Sequence, residues 1–351
     1  MLTEDIKKEI LLPEFVYAVE GMELNIYLHN LCLPSPDLYC MDVASDRGVL
    51  MEKYWQYVPG QEREALATVS QIGYDANILN SKVCKVLSCR KADKPQKKIK
   101  CLFIGDSLTH ASTYTQQFLN ICTQTGLDVE LIGTRGFKYN YPGLRDNVHE
   151  GYGGWSLKSH YENGTSPFVF DGQFNFEKYM TTNGFDQVDF VFFFLGPNDI
   201  VFMQDDDQMV EKAEYNCETY RKIIENIHRY DKDIHIGITT MLPPSSSQDA
   251  FGCSYGSKYQ RYRYIRNTHY YNLYMLNTFD RKQVDNVGVV PLHVMFDTEN
   301  NVSHDQRKPN CRSKESIRIQ NNAVHPIDDG YAQVADGFYF YIRNMLSQGL
   351  E

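Results

Sequence analysis

Four short stretches of this chain carry residue types that could do nucleophilic chemistry. The first is Leu102-Phe103-Ile104-Gly105-Asp106-Ser107-Leu108-Thr109, an apolar run that ends in a glycine turn and delivers a serine to the next segment. Ser107 reads either as the N-cap of a following helix or as an exposed nucleophile, its neighbouring backbone N–H groups facing an oxyanion. The second is Phe194-Leu195-Gly196-Pro197-Asn198-Asp199. Glycine lets the backbone approach a ligand there, and Asn198 offers an uncharged amide donor; the plain alternative is an Asn-Asp turn that caps a helix. The third, Asn322-Ala323-Val324-His325-Pro326, holds a histidine in a loop, where it could act as general base, although a lone histidine is more often structural. The fourth is His149-Glu150-Gly151-Tyr152-Gly153-Gly154-Trp155-Ser156. A hydroxyl, an imidazole and a carboxamide are the parts of acyl transfer, and their conjunction is more specific than any one of them.

These stretches must be brought together by the elements around them. From residue 100 onward, apolar runs of strand length alternate with stretches of helical period. Strands are predicted at 100–104, 188–195, 234–240 and 287–294, and helices at 114–125, 259–279 and 330–345. A further helix places Ala213, Cys217, Tyr220, Ile224 and Ile227 on one face behind the acidic start Asp205-Asp206-Asp207. The run from Val188 to Leu195 is almost continuously apolar, as a strand buried on both faces of a parallel sheet must be. This order predicts a doubly wound α/β domain, in which ligands sit beyond the carboxyl ends of the strands. Ahead of it, period-two alternation at 24–28, with further candidates at 38–43, 66–72 and 82–87, predicts a small antiparallel β-sandwich. The polar, basic stretch Ser88-Cys89-Arg90-Lys91-Ala92-Asp93-Lys94-Pro95-Gln96-Lys97-Lys98 reads as a linker, so the expected division is 1–95 and 96–351.

With these residues in place, the chain from about residue 98 to 348 resembles the SGNH or GDSL-type serine hydrolases. Gly105-Asp106-Ser107-Leu108 matches that family's first block, Gly153-Gly154-Trp155 its second, Gly196-Pro197-Asn198-Asp199 its third and Val324-His325-Pro326 its last. The resemblance implies a flavodoxin-like three-layer α/β/α fold and an esterase with Ser107 as nucleophile and His325 as base. The backbone N–H groups of Ser107 and Gly154, with the amide of Asn198, would form the oxyanion hole. One position departs from the pattern. The family's last block usually has aspartate three residues before the histidine, and here that position is Asn322. Asparagine cannot supply the charge that stabilises an imidazolium. Asn322 could orient His325 through its carbonyl oxygen, another acceptor could take the role, or catalysis could be weak. The resemblance extends to bacterial members with a β-sandwich ahead of the hydrolase, many of them carbohydrate esterases. The expected substrate is therefore a short-chain acyl ester, an acetyl ester first, on a glycan or a small molecule.

Composition narrows the alternatives. The chain has 351 residues, 42% of them hydrophobic, enough for sizeable cores, so disorder is excluded. With 35 basic and 45 acidic side chains the net charge is −10, which argues against nucleic acid as a partner. No run of about 18 apolar residues suggests a membrane span, and the first thirty residues lack the features of a secretory signal. As given, the chain reads as cytoplasmic, or as exported if a leader has been removed. Nine cysteines without a CxxC pair read as mostly reduced, buried thiols. Asp199, His304, Asp305 and His325 prompt a metal-assisted alternative, but their spacing matches no metal motif, so neither metal nor other cofactor is expected. The chain's 25 tyrosines and 19 phenylalanines could stack on sugar rings, yet those at 259–274 share one predicted helix and cannot all face a ligand. A catalytically silent glycan-binding or adhesion protein is the competing reading. Homo-oligomerisation is left open.

Overall fold

The computed structural model describes residues 9–35, 37–91, 97–136, 146–280 and 285–348. The middle of the expected linker, 92–96, with the 95/96 division itself, lies outside the described residues, as do residues 1–8.

The N-terminal portion forms two sheets. Strands β1 (Phe15–Val19), β3 (Leu38–Ala44), β6 (Glu64–Gly73) and β7 (Ile78–Cys89) build one in the order β1-β7-β6-β3, while β2 (Leu24–Tyr27), β4 (Val49–Leu50) and β5 (Tyr54–Tyr57) build the other in the order β2-β5-β4. The expectation of purely antiparallel pairing needs correction, because β1 runs parallel to β7. More than fifty residues separate the two strands, ample length for a parallel return. Residue 28, expected to end a strand, begins a short 3-10 helix, Leu28–Asn30. Inward residues of both sheets, among them Val16, Ile26, Trp55, Ala67 and Val86, belong to one apolar cluster that continues into the rest of the chain.

The second portion is a mixed α/β structure around a parallel sheet. Its strands are β8 (Ile99–Gly105), β9 (Val129–Ile132), β10 (Arg135–Gly136), β11 (Val148–Gly151), β14 (Phe190–Phe194), β15 (His235–Thr239) and β16 (Val287–Val290), with small hairpins β12 (Val169–Phe170)/β13 (Gln173–Phe174) and β17 (His304–Arg307)/β18 (Ile317–Gln320) outside it. The sheet order is β10-β11-β8-β14-β15-β16, and β9 also pairs with β8 on the side occupied by β11. All pairings are parallel except β10 with β11. The chain therefore leaves β8 toward one edge and resumes at β14 on the other side. Loops diverge at that reversal and open a crevice.

Helices cover both faces. They are α1 (Ser107–His110), α2 (Thr113–Thr125), α3 (Leu157–Glu162), α4 (Phe176–Thr182), α5 (Pro197–Ile200), α6 (Asp206–Tyr230), α7 (Gln248–Tyr255), α8 (Arg261–Phe279), α9 (Leu292–Met295) and α10 (Asp328–Gln348). Alternation along β14 shows how the layers arise: Phe190, Phe192 and Phe194 enter the cluster with Tyr114 and Phe118 of α2 and Phe338 of α10. Val191 and Phe193 enter the cluster with Tyr220 and Ile224 of α6 and Leu273 of α8. Asp205 caps α6, accepting from the Gln208 N–H at 2.8 Å. The strand expected at 287–294 stops at Val290, because Pro291 has no N–H for the ladder and the chain turns into α9. None of the nine cysteines is in a disulfide, and five of them are buried.

Candidate active site

The turn after β8 is built to expose Ser107. A Cβ on Gly105 would lie 1.9 Å from Thr109 Oγ1 and 2.9 Å from the Phe194 carbonyl oxygen, so only glycine lets α1 fold back this closely. Asp106 caps α1, its Oδ1 accepting from the Leu108 N–H at 2.9 Å. Burial pushes the Asp106 carboxyl up to about 7, with neighbouring Asp199 adding to the rise. Ser107 is the first residue of α1, and its N–H donates to no partner among the described hydrogen bonds.

His325 meets this serine from 218 residues away: its Nε2 lies 3.0 Å from Ser107 Oγ. The loop that carries it is held on both sides. The Ser245 N–H donates to the Ala323 carbonyl at 3.0 Å, the Ala323 N–H to Ser254 Oγ at 3.0 Å, and the Ile327 N–H to the Asn301 carbonyl at 3.2 Å. Desolvation by surrounding protein lowers the His325 pKa from its ordinary value.

Asn322 acts on the loop, not the ring. Its Oδ1 accepts from the backbone N–H groups of Val324 at 3.1 Å and His325 at 2.9 Å, so the expected contact with the imidazole is replaced by an Asx-type turn. Among the described residues His325 Nδ1 has no hydrogen-bond partner, and no carboxylate contributes to its pKa. Ser107 and His325 therefore meet as a pair, without a third side chain on the ring.

Asn198 and Gly154 lie on the neighbouring loops. Gly196, at φ +136, admits the turn into α5, where a Cβ would strike Met241 at 2.4 Å. Asn198 Nδ2 donates to the Trp155 carbonyl at 3.0 Å and approaches Asp106 Oδ2 at 3.5 Å, so only one of its two hydrogens has a well-formed bond. Buried Asp199 accepts from the Leu157 N–H at 3.2 Å, anchoring α3, and burial raises its pKa to about 6. Gly151 pairs with Gly105, and the Tyr152 N–H donates to the Gly105 carbonyl at 2.9 Å, which lays 151–155 beside the serine turn. Exposed Gly154 has φ +79 and open space where a side chain would project. Its N–H donates to nothing among the described hydrogen bonds.

Three residues that support this segment were not singled out by sequence. His160 is buried and bonds the Gly105 carbonyl through Nε2 at 3.1 Å. Burial lowers its pKa to about 4, so the ring is neutral and Nε2 donates. Glu150 is buried and accepts from the Thr134 N–H, Thr134 Oγ1, Tyr152 OH and Tyr179 OH. Tyr152 stacks on Trp155 at 4.1 Å, with Arg135 4.3 Å above the Tyr152 ring. An acid inside His149-Glu150-Gly151 was the available signal; its four donors come from elements the sequence does not place together. His149 is likewise structural, accepting from the Gly151 N–H and bonding Ser112 Oγ. The residues of the metal-assisted alternative are dispersed: Asp199 holds Leu157, His304 contacts Arg318 and Asp305 pairs with Arg307. Among the described residues no three His, Cys, Asp or Glu side chains gather into a ligand group.

No family model and no curated protein matches this chain. Among solved structures, a carbohydrate esterase family 3 protein from Talaromyces cellulolyticus is similar, with 15% identity and a TM-score of 0.46 over 71% of this chain and 99% of that one. An acetyl esterase mutant with acetate ion gives 14% identity and 0.45 over 72% and 100% of the two chains. A GDSL-like lipase from Bacteroides thetaiotaomicron gives 11% and 0.38 over 72% and 91%.

Proposed function

We propose that this chain is a serine esterase of the SGNH or GDSL type that removes short acyl groups, acetyl foremost, from a carbohydrate. Residues 1–95 are an accessory unit on the hydrolase at 96–351. The observation that carries the reading is the 3.0 Å contact between His325 Nε2 and Ser107 Oγ, at the crevice where sheet order reverses.

In the acylation step His325 Nε2 takes the Ser107 proton while Oγ bonds to the ester carbonyl carbon. Charge moves to the carbonyl oxygen, where the N–H groups of Ser107 and Gly154 and the Asn198 hydrogen held only loosely by Asp106 donate. The imidazolium then gives its proton to the alcohol oxygen as the C–O bond breaks. Water, deprotonated by the same imidazole, releases the acyl group and restores the serine. A lowered His325 pKa keeps the ring neutral and ready to accept. Without a carboxylate at Nδ1 the imidazolium is less stabilised than in a full triad, yet no contact from Asn322 imposes the wrong tautomer.

The Nδ1 that lacks a partner among the described residues is also what favours a second reading, a weak or silent glycan-binding protein. Hydrolysis of a small aryl acetate separates the two. The parent chain is expected to turn it over and Ser107→Ala to abolish turnover; equal rates in both would remove Ser107 from the chemistry.

A further inference from the structure

Beyond the catalytic pair, the carboxyl edge of the sheet carries an open groove of about 710 Å³, walled by α7, the start of α8 and the β17–β18 hairpin. Its lining mixes Tyr259 and Tyr262 with Gln248, Asp249, Gln260 and Arg307. A second groove of about 530 Å³ shares Gln260 and Tyr262 with the first and runs on toward the start of α6. Tyr262, half exposed at 51%, stands at the junction. Phe202, 60% exposed, meets Tyr259 edge-on at 5.9 Å between ring centres and extends the aromatic ridge.

Both candidate catalytic loops are close to this ridge in sequence. Phe202 follows Asn198 by four residues, and Ile319 in the groove wall precedes His325 by six, which places the two within about 20 Å. Helix α7 is tied to the histidine loop by the bond from the Ala323 N–H to Ser254 Oγ at 3.0 Å. Other tyrosines of α8, such as Tyr264 and Tyr271, are buried and serve the core. Tyr262 lies outside that core, and Tyr259, just ahead of the helix, packs only partly against it.

The chemistry of the lining defines the ligand. Exposed ring faces suit an apolar surface, and amide side chains both donate to and accept from hydroxyls. Asp249 and Arg307 balance each other in sign in the first groove, and Asp205, Asp206 and Asp207 outnumber Arg263 and Arg266 in the second, which offers no attraction to a polyanion. A sugar ring, apolar on its faces and rimmed by hydroxyls, answers each of these features. Two joined grooves, each in the range of about 300–1,000 Å³ typical of a small-molecule site, exceed the needs of one sugar unit.

We infer that the groove is a binding site for a neutral oligosaccharide lying along the Phe202–Tyr259–Tyr262 ridge, so that the esterase acts on glycan chains, not on single acylated sugars. The location of the ester at Ser107 rests on the function proposed above; binding along the ridge does not.

The test is calorimetric titration of the full chain carrying Ser107→Ala with neutral hexasaccharides of β-linked glucose, β-linked xylose and β-linked N-acetylglucosamine, and with the matching disaccharides. At least one hexasaccharide is expected to bind, more tightly than its disaccharide. Tyr262→Ala and Phe202→Ala, added in turn at exposed positions, should each weaken it by at least about fivefold with the melting temperature unchanged. Absence of binding by all three hexasaccharides, or affinity unmoved by either substitution, overturns the inference. If oligosaccharides bind but the parent chain fails to hydrolyse aryl acetate, the esterase reading falls and the groove stands; if aryl acetate is turned over but no oligosaccharide binds, the groove falls and the esterase reading stands.

Discussion

His325 is poised for proton transfer by what surrounds it and by what does not. Desolvation disfavours the imidazolium, and no carboxylate counters it, so the neutral ring predominates at lower pH than for a free imidazole. A base must be neutral to accept a proton. The rise of kcat/KM with pH for an aryl acetate is therefore expected to have its midpoint below the ordinary value of 6.5. A midpoint above 6.5 would reveal an acidic partner for the ring. At this scale much was legible: Ser107, Asn198 and His325 each stand in a turn or loop beside an apolar run, and the resemblance assigned them roles. The bonds made by Asn322, Glu150 and His160 were not, because they depend on close approaches between distant segments that pattern alone does not encode.

The loop at 321–327 is the element on which His325, the proposed base, depends. Asn322 holds it by accepting two backbone N–H groups, a task an aspartate oxygen performs equally well. Asn322→Asp should therefore keep kcat/KM within a few-fold of the parent. Asn322→Ala, losing bonds worth about 1 kcal/mol each, should lower it by roughly tenfold or more. Equal loss in both variants would show that the carboxamide nitrogen matters in place of the oxygen. Among larger elements, the run at 188–195 announced a central strand because its residues suit burial on both faces, and β14 shows that division between two cores. The end of β16 is hidden from pattern because apolar residues continue past Pro291 into α9. Strand β1 is not legible either, since its parallel pairing with the distant β7 leaves no local mark.

Across the whole molecule, one apolar cluster runs from the N-terminal sheets to the face of the parallel sheet covered by α2 and α10. Tyr17 meets Tyr341 edge-on at 5.1 Å, and the Asn344 amide donates to the Ala18 carbonyl at 2.8 Å. Buried titratable groups set its response to acid. Burial lowers His149 and His269 to about 3 and His160 and His293 to about 4, so the stability they contribute is present above 6.5 and lost as pH falls toward those values. Asp106 and Asp336, raised to about 7, and Asp199, raised to about 6, oppose this by losing stability as pH rises through those values. Four imidazoles outweigh three carboxyls of similar shift in this window; Asp206 and Asp297, held below their usual range, add to the loss only below the ordinary value of 3.8. The melting temperature is therefore expected to fall between pH 6.5 and 4; a rise would show that the buried carboxyls dominate. The same global fold brings Ser107 and His325 together across 218 residues, and the proposed chemistry depends on that meeting. Its most direct test is labelling of the full chain with a fluorophosphonate, followed by mass spectrometry of the modified peptide. The label is expected on Ser107 and is expected to disappear in His325→Ala; a chain left unlabelled, or labelled equally without the imidazole, would contradict it.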